Sequence, residues 1–227
     1  MKVLVTNDDG ISSPGLHVLA RAVVDHGYDV IVVAPDREMS GSAAAIGQVH
    51  IEQGIDAERL DLPGLDGVPA YALAGPPGLC VLTARLGGFG DPPELVVSGI
   101  NPGCNTGRAV LHSGTVGAAL TAANFGCRGL AVSIDVSTLH LHEQAGDPAR
   151  AAAGARGTIA VGDGQRARAE VVESLDVGDD PGARGRLRDV SGVAFDRPAQ
   201  WETAAALAAT ACGWLAEAPP CTVLNLN

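Results

Sequence analysis

An α/β fold built on a mostly parallel sheet is predicted by three observations. Short continuous apolar runs recur along the chain, at Val3–Val5 and at residues 29–34, 94–100 and 129–134. Each reads as a strand buried on both faces. The first two enclose a segment of helical periodicity, so strand, helix and strand fit within about 35 residues, a βαβ unit with parallel strands and a right-handed crossover. The first three runs also end in polar, glycine-bearing turns. Such turns leave the carboxyl ends of the strands, the edge at which open α/β sheets bind ligands.

The chain of 227 residues is long enough for one α/β domain with a full core. Hydrophobic residues make up 46% but aromatic residues only 3%, so that core must be built from Ala, Val and Leu. A net charge of −11 argues against a nucleic-acid polymer or a membrane surface as partner, since either needs a basic face. A small anionic substrate stays open, because a bound metal inverts the local field. The five cysteines are odd in number and lack a C-x-x-C pair. They read as reduced residues of a cytosolic protein rather than a disulfide frame or a zinc site. No apolar stretch approaches the roughly 18 residues of a membrane span, and the sequence opens on a strand rather than a signal peptide, so a cytoplasmic location is expected.

The first strand ends in Asn7-Asp8-Asp9-Gly10. Two adjacent carboxylates repel unless a positive charge lies between them, and a hard divalent cation with oxygen ligands would meet that need. The competing reading is an ordinary turn, in which the aspartates cap the next helix and Gly10 takes a positive φ. Ser13 and Pro14 mark a helix start, and Leu16, Leu19, Ala20, Val23 and Val24 share one face of that helix. His17 and His26 read as ordinary surface or boundary residues. Gly27 ends the helix, and residues 29–34 form the second strand. No G-x-G-x-x-G joins the first strand to its helix, which argues against a usual dinucleotide fold.

The loop 35–42 follows the second strand and carries Ser40 and Ser42 to the same edge; a polar surface loop is the plain alternative. Residues 47–67 are polar and glycine-rich, with a short strand around His50 and Ile51. Residues 68–74 resemble a strand, and Gly75-Pro76-Pro77-Gly78 leads into a helix over about 79–86. The strand 94–100 ends in Asn101, whose side-chain oxygen suits a hard cation. Ser113-Gly114-Thr115 precedes a small-residue helix, where backbone N–H groups and the helix dipole favour an anion; Ser113 or Thr115 as a simple N-cap is compatible with that role. Residues 129–134 are the fourth strand.

From about 136 to 198 the composition turns to Gly, Ala, Arg and Asp, which reads as loop or disorder with short strands at 158–161 and 169–172. His140 and His142 fit an alternating edge strand better than a metal site, and Arg184, Arg186 and Arg188 a solvated stretch. A helix over 200–216 and a strand over 222–226 close the chain.

These residues carry a pattern that resembles the SurE family of 5′/3′-nucleotidases. The matching blocks are VLVTNDDGISSPGL at 3–16, VVAPDREMSGS at 32–42, ELVVSGINPGCNTG at 94–107, HSGTVGAAL at 112–120, LAVSI at 130–134 and VLNLN at 223–227. The resemblance implies a Rossmann-like three-layer α/β sandwich with helices on both faces. It implies divalent-metal-dependent removal of phosphate from nucleoside monophosphates, with one Mg2+ or Mn2+ per subunit. The metal ligands it implies are Asp8, Asp9, Ser40 and Asn101, with Asp8 and Asp9 also catalytic. The phosphate-facing residues are Asn105, Ser113, Gly114 and Thr115, and the assembly is a homodimer or homotetramer.

The sequence also departs from the family pattern. Ala109 stands where an Asp is usual, His112 where a Tyr is, Leu79 where an Asp is and Thr121 where a Glu is. Residues 136–198 match nothing in the family pattern, and the sequence ends at Asn227 where family members continue with a segment used in subunit contacts. Residues 1–227 are thus expected to form a single domain with a divergent insert and without that last segment. A second reading is a paralogue that binds metal or nucleotide without turnover, or a truncated product without function.

Overall fold

Four apolar strands form the centre of a seven-stranded sheet in a computed structural model that describes residues 1–47, 54–135 and 198–227. These belong to one unit, Met1–Thr138 with Arg197–Asn227; Leu139–Asp196 makes a second unit, outside the described residues. The readings at His50 and Ile51, at 158–161 and 169–172, at His140 and His142, and at the three arginines also lie outside the described residues.

The strands are β1 (Lys2–Thr6), β2 (Asp29–Pro35), β3 (Ala57–Leu60), β4 (Ala70–Leu73), β5 (Leu95–Pro102), β6 (Arg128–Ile134) and β7 (Val223–Leu226). Their order is β3-β4-β2-β1-β5-β6-β7. Every neighbouring pair is parallel except β3 with β4. The helices are α1 (Pro14–Asp25), α2 (Pro77–Arg85), α3 (Gly114–Asn124) and α4 (Pro198–Glu217), with a 3-10 turn at Gly107–Leu111.

Alternation along the strands divides the core between two faces. Leu4, Ile31, Val33 and Val96 pack with Leu79, Cys80, Val81 and Ala84 of α2 and with Ala118 and Ala122 of α3. The intervening Val3, Val5, Val30, Val32, Leu95 and Val97 are buried on the opposite face, where α1 packs against α4. This is the three-layer sandwich expected from the sequence. The small side chains set its close layer spacing. At Gly117 of α3 a Cβ would lie 2.0 Å from the carbonyl oxygen of Ala43, so only glycine lets the loop after β2 pass over that helix.

Three local readings change. Residues 57–60, read as part of a polar glycine-rich stretch, form β3. Its AERL sequence has no apolar alternation because it is an exposed edge strand, held by its antiparallel ladder to β4. Helix α2 begins at Pro77, earlier than about 79, because prolines at its start have no N–H to satisfy. Ser13 sits at the N-cap of α1 but its hydroxyl makes no capping bond. Among the described residues no helix is long and apolar enough to cross a membrane.

Candidate active site at the carboxyl edge of the sheet

The carboxyl ends of β2, β1 and β5 lie side by side, with Val32 beside Val5 and Thr6 beside Ser98. The loops that leave them are tied together through the main chain. Met39 N–H donates to the Asp8 carbonyl at 2.7 Å, Ile11 N–H to the Pro35 carbonyl at 2.8 Å, and Ala43 N–H to the His112 carbonyl at 3.2 Å. The sequence order at β1 makes the turn. Buried Asn7 donates its amide to the Gly10 carbonyl at 3.0 Å. Gly10 takes φ +95°, with Arg37 main chain 3.1 Å from where a Cβ would stand.

Asp8 is 3% exposed. Its Oδ1 accepts a hydrogen bond from Thr115 Oγ1 at 2.5 Å, across 107 positions of sequence. Burial raises the Asp8 carboxyl above its ordinary value; the Thr115 hydroxyl and the main-chain N–H groups of Thr115 and Gly114 oppose that shift. The N-terminus of α3 therefore faces a carboxylate, as its dipole favours. Contact there is close: a Cβ on Gly114 would stand 2.6 Å from Ser42 Oγ and 2.8 Å from Asp8 Oδ2. Ser113 is the N-cap, accepting from Val116 N–H at 3.1 Å, so the capping reading holds at this end of α3.

Asp9 is half-buried, and its carboxyl is pushed up to about 7, first by burial and then by the negative charges of Asp8 and Glu38. Its Oδ2 is buried without a hydrogen-bond partner, as are Asn7 Oδ1 and Ser42 Oγ. Among the described residues neither aspartate has a salt-bridge partner. Buried like charges with unsatisfied oxygens and no cationic side chain fit a hard divalent cation. Among the described residues no three His, Cys, Asp or Glu side chains gather as a metal site, so a cation held by the Asp pair would need neutral oxygens as well. That donor chemistry suits magnesium or manganese and not zinc.

The other expected residues are spread along the same edge. Ser40 is exposed and donates to Glu38 Oε1 at 3.0 Å. Asn101, half-buried at the end of β5, donates to the Gly103 carbonyl at 2.7 Å. Asn105 is buried and donates to Ser133 Oγ at 2.9 Å. Asn7 Oδ1 and Ser42 Oγ are also buried at this edge without a partner, and neither residue was among the expected ligands. Their signal was limited to being polar residues beside the Asp pair and the Ser40 loop.

The departures from the family pattern separate by burial. Leu79 is 6% exposed within the core, and buried Thr121 donates to the Gly117 carbonyl at 2.7 Å, so both serve packing. Ala109 and His112 lie exposed in and after the 3-10 turn.

A family model described as "Survival protein SurE" matches residues 3–179, so the match extends over residues 136–179, expected from the sequence to lie outside the family pattern. Among similar curated proteins, a 5'-nucleotidase SurE of Dehalococcoides mccartyi is 45% identical over 137 residues, 60% of this chain and 50% of that protein. A 5'-nucleotidase SurE of Trichormus variabilis is 41% identical over 134 residues, 59% of this chain and 49% of that protein. The chain spans about half the length of the curated relatives it matches. The crystal structure of a SurE protein from Aquifex aeolicus superposes with a TM-score of 0.50 at 32% identity, covering 60% of this chain and 53% of that one.

Proposed function

The chain belongs to the survival protein SurE family, and from that premise we propose that it is a divalent-metal-dependent phosphomonoesterase, a cytoplasmic 5'-nucleotidase that cleaves nucleoside monophosphates to nucleoside and phosphate. The observation that carries this reading is the Asp8–Asp9 pair at the sheet edge, with Asp9 Oδ2 buried and unpartnered. Asp8, Asp9, Ser40 and Asn101 would hold one Mg2+ or Mn2+. When bound, that ion polarises the phosphoryl oxygens and lowers the pKa of a water.

The chain's own groups supply the rest. Thr115 fixes the Asp8 carboxylate through Oδ1, and Asp8 so oriented would help to hold the ion. A carboxylate of the pair, with Asp9 the candidate, would orient the attacking water or accept its proton. Asn105 and the turn Ser113–Thr115, whose Thr115 hydroxyl is engaged by Asp8, would face the phosphate and stabilise charge on its equatorial oxygens. A small nucleotide is the partner, and a homodimer or homotetramer the assembly.

The test is phosphate release from a panel of nucleoside monophosphates with Mn2+ or Mg2+. Wild type should turn over and Asp9→Ala should lose on the order of 10²-fold or more in rate, as for removal of other electrostatic groups at reacting centres. The departures at Ala109, Leu79 and Thr121 motivate the second reading, a protein that binds metal or nucleotide without turnover. It gains if a folded wild-type protein binds Mn2+ and releases no phosphate.

A further inference from the structure

The loop after β5 is held from the far edge of the sheet. Asn105 N–H donates to Asn227 Oδ1 at 2.7 Å, and the Asn105 carbonyl accepts from Asn225 Nδ2 at 2.9 Å. On its third side, Asn105 Nδ2 donates to Ser133 Oγ of β6 at 2.9 Å. Both main-chain polar groups of one buried residue are thus taken by side chains of, or just beyond, the last strand, about 120 positions away. Asn225 lies beside Ala131 in the β6–β7 ladder, so this grip is in register with the sheet. Gly103, two residues earlier, takes φ +130°, a conformation open to glycine, and is held by Asn101 Nδ2 donating to its carbonyl at 2.7 Å and by its own N–H donating to the Ile134 carbonyl at 3.0 Å.

An amide nitrogen carries two hydrogens, and Ser133 uses one. With its main chain clamped and its rotamer set by Ser133, Asn105 can present the second hydrogen in a single direction. We propose that Asn225 and Asn227 are positioning residues of the active site, which fix Asn105 so that its remaining N–H meets the substrate phosphate. They touch neither substrate nor metal. The inference rests on the assignment of Asn105 as a phosphate-binding residue. Ordering the donor in advance removes a cost that a loose loop would meet at each binding event.

The experiment measures inorganic phosphate affinity by calorimetry on Mn2+-loaded protein, with Mn2+ affinity and thermal midpoint measured beside it. Asn227→Ala removes an acceptor and Asn225→Ala a donor. Each should weaken phosphate binding about three- to tenfold, the range of one neutral hydrogen bond, and leave Mn2+ affinity within about twofold. Asn227→Asp keeps the acceptor and should recover part of the loss despite its added charge. Asn225→Asp loses the donor and should not recover.

Asn105→Ala is the control for the underlying assignment. If it weakens phosphate binding while Asn225→Ala and Asn227→Ala do not, the clamp is overturned and the assignment stands. If Asn105→Ala leaves phosphate affinity unchanged, the assignment fails and the clamp with it. Equal losses of Mn2+ and phosphate affinity in Asn227→Ala would mean general loosening of the sheet edge and would also overturn the proposal.

Discussion

Replacing Asp9 by Asn should make the metal-free protein more stable, by an amount that grows with pH. Burial, Asp8 and Glu38 push the Asp9 carboxyl from an ordinary 3.8 to about 7. A carboxyl raised in the folded state binds its proton more tightly there than in the unfolded chain. Its contribution to stability is therefore full below about pH 3.8 and is lost as pH rises through about 7. At roughly 1.4 kcal/mol for each unit of pKa, the cost of the ionised form is on the order of 1–2 kcal/mol at pH 5 and about 4 kcal/mol at pH 8. These are ceilings, since the loop can relax. Asn keeps the shape and carries no charge.

Urea unfolding in the presence of a chelator, at pH 5 and pH 8, measures the difference directly. Asp9→Asn should exceed wild type at both pH values, and by a margin about 2–3 kcal/mol larger at pH 8. Saturating Mn2+ should reverse the order at pH 8, because the ion binds the folded wild type and stabilises it by mass action. A margin that does not change with pH, or a wild type more stable than Asp9→Asn without metal at pH 8, would refute the claim that these carboxylates are held together at an energetic cost.

Other expectations follow from single contacts. Thr115→Val keeps shape but removes the hydrogen bond to Asp8; it should cost about 1.5–3 kcal/mol and weaken Mn2+ binding in calorimetry. Leu79→Asp restores the side chain usual in the family but places a charge in the core, and should lower the thermal midpoint sharply rather than raise activity. Gly117→Ala should yield little folded protein, as its Cβ would meet the Ala43 carbonyl at 2.0 Å, whereas Gly27→Ala, with open space but φ +83°, should cost only about 1 kcal/mol by denaturant titration.

The fold was legible where residues are buried on both faces. β1, β2, β5 and β6 are continuous Val, Leu and Ile runs because no face of them meets water, and their helices show in apolar spacing and in Pro or Gly at the ends. β3 was illegible for the opposite reason: an exposed edge strand needs no apolar pattern and is specified by its partner β4. The candidate site was legible as loops, because polar turns after parallel strands must share one edge. Its pairings were not. Nothing local in Thr115 marks it as the partner of Asp8, and nothing in Asn225 or Asn227 marks them as partners of Asn105; those bonds are made by topology, across more than 100 positions. Ser42 shows the same limit. Two serines flank Gly41, and only the path of the loop over α3 decides that Ser42 is the one whose hydroxyl is buried beside Gly114 while Ser40 faces solvent.

Reading metal and turnover on one sample tests whether the Asp8–Asp9 edge is a metal-dependent phosphoesterase centre. Bound Mn2+ would be followed by electron paramagnetic resonance while phosphate release from a nucleoside monophosphate is recorded. The rate should rise in proportion to one bound ion per chain, with both signals lost in Asp9→Asn. Phosphate release that persists in folded Asp9→Asn, or that proceeds at full rate with no Mn2+ or Mg2+ bound, would contradict that reading.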